Sequence, residues 1–125
     1  MRVVADQHGY PTYAPDIAAA TITIAENLLR KPSDPCLRGI FHLAGSEETS
    51  RAGFAGAIFG FLAAKGLRTP VLTRITSAEY PAPARRPANS WLNCSKLARV
   101  HGVKLPPWRE SLGICLERLW KERQT

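Results

Sequence analysis

Two adjacent arginines, Arg85 and Arg86, lie in a stretch broken by Pro81, Pro83 and Pro87. A guanidinium is a planar fork of N–H donors that can meet two phosphate oxygens at once. Prolines beside it lower the entropy lost when such a loop is ordered. Asn89 and Ser90 follow closely and can either donate to a phosphate or hold the loop through turn hydrogen bonds. The plainer alternative is a pair of solvated surface arginines. Thr12 closes the loop Gln7-His8-Gly9-Tyr10-Pro11-Thr12, where it can bond a ligand or cap the helix entry. Trp91, beside the arginine stretch, is the tryptophan placed to touch a ligand, whereas Trp108 and Trp120 read as packing residues.

The remaining reactive side chains form no recognisable constellation. His8, His42 and His101 are scattered, and no His/Cys/Asp/Glu cluster has metal-ligand spacing. His8 sits in a loop within reach of a ligand, and His42 lies in an apolar run and reads as a core histidine. Asp16 reads as a first-turn helix charge rather than an acid, and Lys96 as a solvent-facing helical lysine. Cys36, Cys94 and Cys115 are odd in number and lack C-x-x-C spacing. Reduced thiols in a cytoplasmic protein are expected from that usage.

Local signals say which elements must position these groups. Arg2 to Asp6 is a short β-branched run that suits a strand. Pro15 and Asp16 open a helix with Ile17, Ala20, Ile24, Ala25 and Leu28 on one face, closed by Pro32 and Pro35. Gly39 to Gly45 is apolar between glycines and fits a buried strand. Thr49 or Ser50 caps a second helix bearing Phe54, Ala57, Ile58, Phe61 and Leu62, which ends at Gly66. Val71 to Ile75 reads as another strand. Asn93 caps a short helix, Ser95 to Val100, stopped by Gly102; after Pro106-Pro107 a last helix puts Trp108, Leu112, Cys115, Leu116 and Leu119 on one face. The order is that of an α/β chain, two βα units followed by helices.

At 125 residues and 45% hydrophobic, the chain can build one globular core. Its charge of +7 is uneven, since Ala84 to Thr125 holds nine Lys/Arg against three Glu. A basic terminal third suggests an anionic partner. Neither a membrane-spanning apolar run nor a signal-peptide pattern occurs, and no nucleic-acid motif does, so no membrane or nucleic-acid partner is expected.

Three segments carry a family resemblance. Asp6-Gln7-His8-Gly9-Tyr10-Pro11-Thr12-Tyr13-Ala14-Pro15-Asp16-Ile17-Ala18 resembles the DQxGxPTxxxDLA stretch of the dTDP-4-dehydrorhamnose reductases. Gly39-Ile40-Phe41-His42-Leu43-Ala44-Gly45, with Thr49-Ser50 after it, is similar to their GIYHLAGxxxTS. Thr76-Ser77-Ala78-Glu79-Tyr80-Pro81-Ala82-Pro83-Ala84-Arg85-Arg86-Pro87-Ala88-Asn89-Ser90, running on to Ser95-Lys96-Leu97, resembles TSAEYPTPARRPxNSxLDxSKL and is the most specific of the three. Two departures stand out: Asn93 where the family usually has Asp, and small residues at Ala52-Gly53 where it often has aromatic or polar ones.

These reductases are extended short-chain dehydrogenases. The resemblance implies reduction of dTDP-4-dehydro-L-rhamnose to dTDP-L-rhamnose by NADPH or NADH, for dTDP-rhamnose and cell-surface polysaccharide synthesis. It implies a carboxy-terminal part only, with residues 1–48 partly the edge of a Rossmann sheet and residues 49–125 the substrate lobe. It further implies Arg86, then Arg85, as contacts to the sugar-nucleotide diphosphate, with Asn89, Ser90 and Thr12 near by, and Mg2+ at a dimer contact in some members. The chain holds neither a GxGxxG loop nor a Tyr-x-x-x-Lys pair, so no catalytic or cofactor-binding residue is expected and the chain alone should be inactive. Unpaired strand edges should drive it to a homo-oligomer. A non-catalytic regulatory or scaffold subunit related to these reductases is the competing reading.

Overall fold

The β-branched Arg2-Val3-Val4 run forms strand β1 (Arg2–Val4) in a computed structural model that describes residues 1–80, 83, 84 and 86–124. β1 pairs in parallel with β4 (Thr73–Ile75), Val4 lying opposite Ile75, and both of these side chains are buried. The chain leaves β1 through Asp6 and Gln7 into β2 (His8–Gly9), which pairs antiparallel with β3 (Thr49–Ser50). His8 also bridges Asn89 on its other side, so Asn89 adds a third short rung to that sheet. The strand expected from Val71 is thus shorter, and Val71 itself is 82% exposed.

Among the described residues there are four α-helices, of which the second packs on β1 and β3. α1 (Ala14–Arg30) starts with Pro15 in its first turn and ends before Pro32. Its inward face is rotated from the expected one. Ala20 is buried, Ile24 and Leu28 are half-buried, and Ile17 and Ala25 are exposed. Two polar ties set that rotation: Ser111 Oγ donates to Asp16 (2.5 Å), and Asn27 Nδ2 donates to the His101 carbonyl (2.9 Å). α2 (Arg51–Ala64) is capped by Ser50, whose Oγ accepts from Gly53 N at 3.0 Å. Gly66 follows it in the left-handed region (φ +76°).

α3 (Ser95–His101) ends on Gly102 at φ +69°, in the left-handed conformation that glycine takes without a Cβ penalty. Asn93 accepts from Ser95 N at 2.9 Å, but the cap position itself is Cys94, one residue later than expected. α4 (Trp108–Gln124) buries Trp108 and turns Leu112, Cys115 and Leu116 inward. Leu119 is 55% exposed, contrary to the expected face. The last turns face α2 through Lys65, which pairs with Glu117 (2.9 Å) and lies over the Phe61 and Trp120 rings.

The core is the set Ala20, Leu97, Val103 and Leu105, with Ile24, Phe41 and Leu43 packed against it. Phe41 and Leu43 come from the segment expected to be a buried strand. It is not one among the described residues: no ladder forms over residues 39–45, Ile40 is 82% exposed and His42 is exposed. A strand needs a neighbour to take its N–H and C=O groups, and the described residues offer none. The segment is held instead by side chains. Lys96 Nζ donates to the Ile40 carbonyl (2.9 Å) and lies 4.5 Å from the Phe41 ring centre, so this lysine is a tether rather than a free surface charge. The core histidine is His101, whose Nε2 lies 3.2 Å from the Leu37 carbonyl oxygen and whose ring meets Phe41 edge-on.

Candidate functional site

β1 and β4 run parallel, and their carboxyl ends open into a cleft. Such ends are where open α/β sheets bind ligands, because the chain must loop away from the sheet there. Asp6 follows β1 and Ser77 follows β4. The Asp6 carboxylate accepts from Ser77 N (2.9 Å) and Ser77 Oγ (2.7 Å), which locks the two ends together. The Ser77 backbone N–H and then its hydroxyl hold the Asp6 carboxyl below its ordinary pKa. Gln7 Nε2 donates to the same Ser77 Oγ (3.0 Å). A turn later, Thr76 N and Oγ1 both donate to the Glu79 carboxylate, lowering its pKa in the same way.

The arginine stretch is anchored against this frame. His8 N donates to the Ala88 carbonyl (2.8 Å), and the His8 carbonyl accepts from Ser90 N (3.0 Å) and Ser90 Oγ (3.1 Å). Asn89 Oδ1 accepts from Trp91 N at 2.7 Å, which spends that acceptor on a turn. Gly9 is required by this close approach, since a Cβ there would stand 2.6 Å from Ser90 Oγ.

Two adjoining cavities result. One, about 440 Å³, is walled by Tyr10, Phe54, His8, Ser50 and Ser90. The second, about 660 Å³, is walled by Asp6, Ser77, Ala78 and Tyr80. Gln7, Arg51, Arg86 and Pro87 border both. Tyr10 stacks on Trp91 with ring centres 6.4 Å apart, so Trp91 backs the aromatic wall while remaining 46% exposed.

Arg86 and Ser90 therefore share one cleft. Asn89 and Thr12 border neither cavity. Thr12 Oγ1 instead donates to the Tyr10 carbonyl and accepts from Gly45 N, both at 3.0 Å, and so pins the turn before α1 to the end of the 39–45 segment. Arg85 lies outside the described residues. Arg51, Gln7 and Tyr10 were not among the residues singled out from sequence. Arg51 carried one faint signal: it opens α2, where a helix dipole favours acidic groups and disfavours a cation.

Among the described residues no group of three or more His, Cys, Asp or Glu is placed to hold a metal ion, so no chemical step is assigned to Mg2+. The cleft has arginines and hydroxyls but no glycine-rich phosphate loop, so the chain's own residues do not fit a dinucleotide, and no step is routed through one. What this set of groups can do is bind an anion beside an aromatic wall.

The family model of the RmlD substrate binding domain matches residues 1–121. The chain belongs to this family. A dTDP-4-dehydrorhamnose reductase of Sinorhizobium fredii is 51% identical over 111 residues, covering 89% of this chain and 37% of that protein. One from Burkholderia thailandensis is 37% identical over 124 residues, covering 95% of this chain and 42% of its own length. The crystal structure of a Clostridium acetobutylicum dTDP-4-dehydrorhamnose reductase superimposes with a TM-score of 0.78 at 29% identity, over 96% of this chain and 39% of that one. The Bacillus anthracis dTDP-4-dehydrorhamnose reductase, in complex with NADP, gives 0.70 at 27% identity, over 98% of this chain and 38% of that one. The RmlD domain described here thus spans about two fifths of the length of the curated relatives it matches. Its mixed α/β arrangement is the one found in those solved structures, as the sequence reading expected.

Proposed function

We propose that this chain is the substrate-binding portion of a dTDP-4-dehydrorhamnose reductase. The observation that carries this reading is the family match across residues 1–121, joined to relatives that bear that name. The complete enzyme would reduce the C4 ketone of dTDP-4-dehydro-L-rhamnose, with NADPH or NADH as hydride donor. The NADP complex of the B. anthracis neighbour supports NADPH.

This chain's residues would bind and orient. Arg86 would hold diphosphate oxygens in its fork, and Ser90 would keep the arginine stretch on β2 through the His8 carbonyl. Tyr10 and Phe54 would exclude water from one side of the ligand. Hydride and proton would be delivered by groups that this chain does not contain, so it is expected to be inactive alone. Residues 1–48 would lie against the nucleotide-binding part, and 49–125 would form the substrate lobe. The uncovered 39–45 segment supports that division. Three unpaired cysteines are consistent with a cytoplasmic site of action, and no described helix is long and apolar enough to cross a membrane.

A chimera tests this reading. Residues 1–121 are exchanged for the matching segment of the S. fredii reductase, and NADPH oxidation is followed with dTDP-4-dehydro-L-rhamnose. Turnover that falls about a hundredfold or more on Arg86→Ala is expected from loss of a charged, bidentate contact. A chimera that folds and binds NADPH yet gives no turnover overturns the proposal.

A further inference from the structure

Gln7 is half-buried and borders both cavities of the cleft. One contact locates its amide head: Nε2 donates to Ser77 Oγ at 3.0 Å. Ser77 borders the 660 Å³ cavity and not the other, so the head of Gln7 sits at the larger cavity. An amide turned end for end keeps almost the same shape, so the protons around it decide its orientation. Ser77 Oγ has one proton, and Asp6 Oδ1, 2.7 Å away, takes it. The Asp6 carboxyl is held below its ordinary pKa by the same serine and is only an acceptor at neutral pH. Ser77 Oγ can therefore only accept from Gln7. Turned the other way, Gln7 would set Oε1 against an oxygen lone pair. The relay from Asp6 through Ser77 thus holds the amide one way round, and Oε1 has no hydrogen-bond partner among the described residues.

We infer that Gln7 is a specificity-determining residue, whose Oε1 accepts a hydrogen bond from a hydroxyl of the sugar in a nucleoside-diphosphate sugar. This deepens the proposed function and rests on it for the class of ligand. The 440 Å³ cavity has the aromatic wall, Tyr10 and Phe54, that suits a flat base. The larger cavity has Asp6, Ser77 and the Gln7 amide, which suit a hydroxylated ring. Asp6 and Ser77 are committed to each other, so Gln7 is the member of that trio left to read the ring. An acceptor held in one orientation beforehand lowers the ordering cost of binding. It also makes a missing hydroxyl costly, because Oε1 would lose its water and gain nothing in return.

The role of Gln7 is tested on the 125-residue chain itself. Wild type, Gln7→Leu and Gln7→Met are titrated with dTDP, dTDP-L-rhamnose and UDP-glucose, following affinity by calorimetry and the Gln7 side-chain amide signals by NMR. Wild type should bind dTDP-L-rhamnose more tightly than dTDP. The Gln7 amide signals should move further with the sugar nucleotide than with dTDP. Gln7→Leu and Gln7→Met should each remove about three- to tenfold of the advantage of dTDP-L-rhamnose over dTDP, the worth of one neutral hydrogen bond. Their affinity for dTDP should stay that of the wild type. Backbone amide dispersion like that of the wild type checks that each variant is folded, and Gln7→Met keeps the length of the side chain should Gln7→Leu fail that check.

The inference is overturned if wild type binds dTDP as tightly as dTDP-L-rhamnose, or if the Gln7 variants weaken both equally, which is what a merely structural role or a contact to the base would do. The proposed function fails separately. If UDP-glucose binds more tightly than dTDP-L-rhamnose and loses its affinity in the Gln7 variants, the role of Gln7 stands and the dTDP-rhamnose reading loses its support. If dTDP-L-rhamnose keeps its full advantage over dTDP in both variants, that reading stands and the role of Gln7 does not.

Discussion

Asp6 is a surface carboxylate that acts as a strand clasp. Its pKa is depressed by the Ser77 N–H and hydroxyl, so its contribution to stability is present above the unfolded value of about 3.9 and is lost as pH falls through the lower folded value. Glu79, held by Thr76, follows the same sign. Asp6→Asn should therefore lower the urea midpoint at pH 7. The gap from wild type should narrow as the pH is taken towards 3. Midpoint differences that stay constant from pH 7 to 3 would mean the carboxylate charge is not what binds Ser77. Gly45 makes a second prediction at this scale. A Cβ there would collide with the Pro11 carbonyl oxygen, which is backbone and cannot swing away. Gly45→Ala should cost about 1–3 kcal/mol in urea unfolding and disturb the Thr12 Oγ1 contact with it.

Among the elements, α3 is the shortest of the four α-helices and yet, of the described residues, carries the best-buried large side chain, Leu97 at 1% exposure. Leu97→Ala should cost about 2–5 kcal/mol, measured by urea denaturation, because the α1, Val103 and Leu105 walls around it cannot all collapse inward. A loss below about 1 kcal/mol would show that α3 is loosely docked. The helices were readable in sequence because their signals are local: Pro15 at the start of α1, Ser50 before α2, Gly102 after α3. The faces of α1 and α4 were less readable. Asn27, Asp16 and Lys65 make partners far along the chain, and those partners decide how each helix is turned. The 39–45 segment looked like a strand because its composition is that of one, but pairing is settled by a neighbour rather than by composition. In the cleft, Pro87 beside Arg86 and the turn residues Asn89 and Ser90 after it drew attention to that stretch in the sequence. Arg51 had no such marker, since it borders the cavities only by standing beside residues from another part of the fold.

Across the whole molecule the polar cleft and the apolar exterior contrast. Ile22 and Leu29 of α1 are 62% and 80% exposed and fall on one helical stripe with Ala18 and Ala25. Ile40 is exposed on a segment with unpaired backbone. Exposed surfaces of this kind favour association. The isolated chain should self-associate in sedimentation velocity as concentration rises, and Ile22→Glu with Leu29→Glu should reduce that association. A single monomeric species at high concentration, with the wild-type chain, would refute this.

The two hydrogen bonds from Ser90 to the His8 carbonyl join residues 82 positions apart, and Ser77 reaches Asp6 across 71. Contacts of such long sequence separation are slow to form, because the intervening chain must close first. Each helix can form from contacts within itself, whereas the cleft exists only when the opening nine residues find the latter half of the chain. Any event that frees those nine residues would dismantle the ligand seat and uncover the side of α2 on which β1 packs.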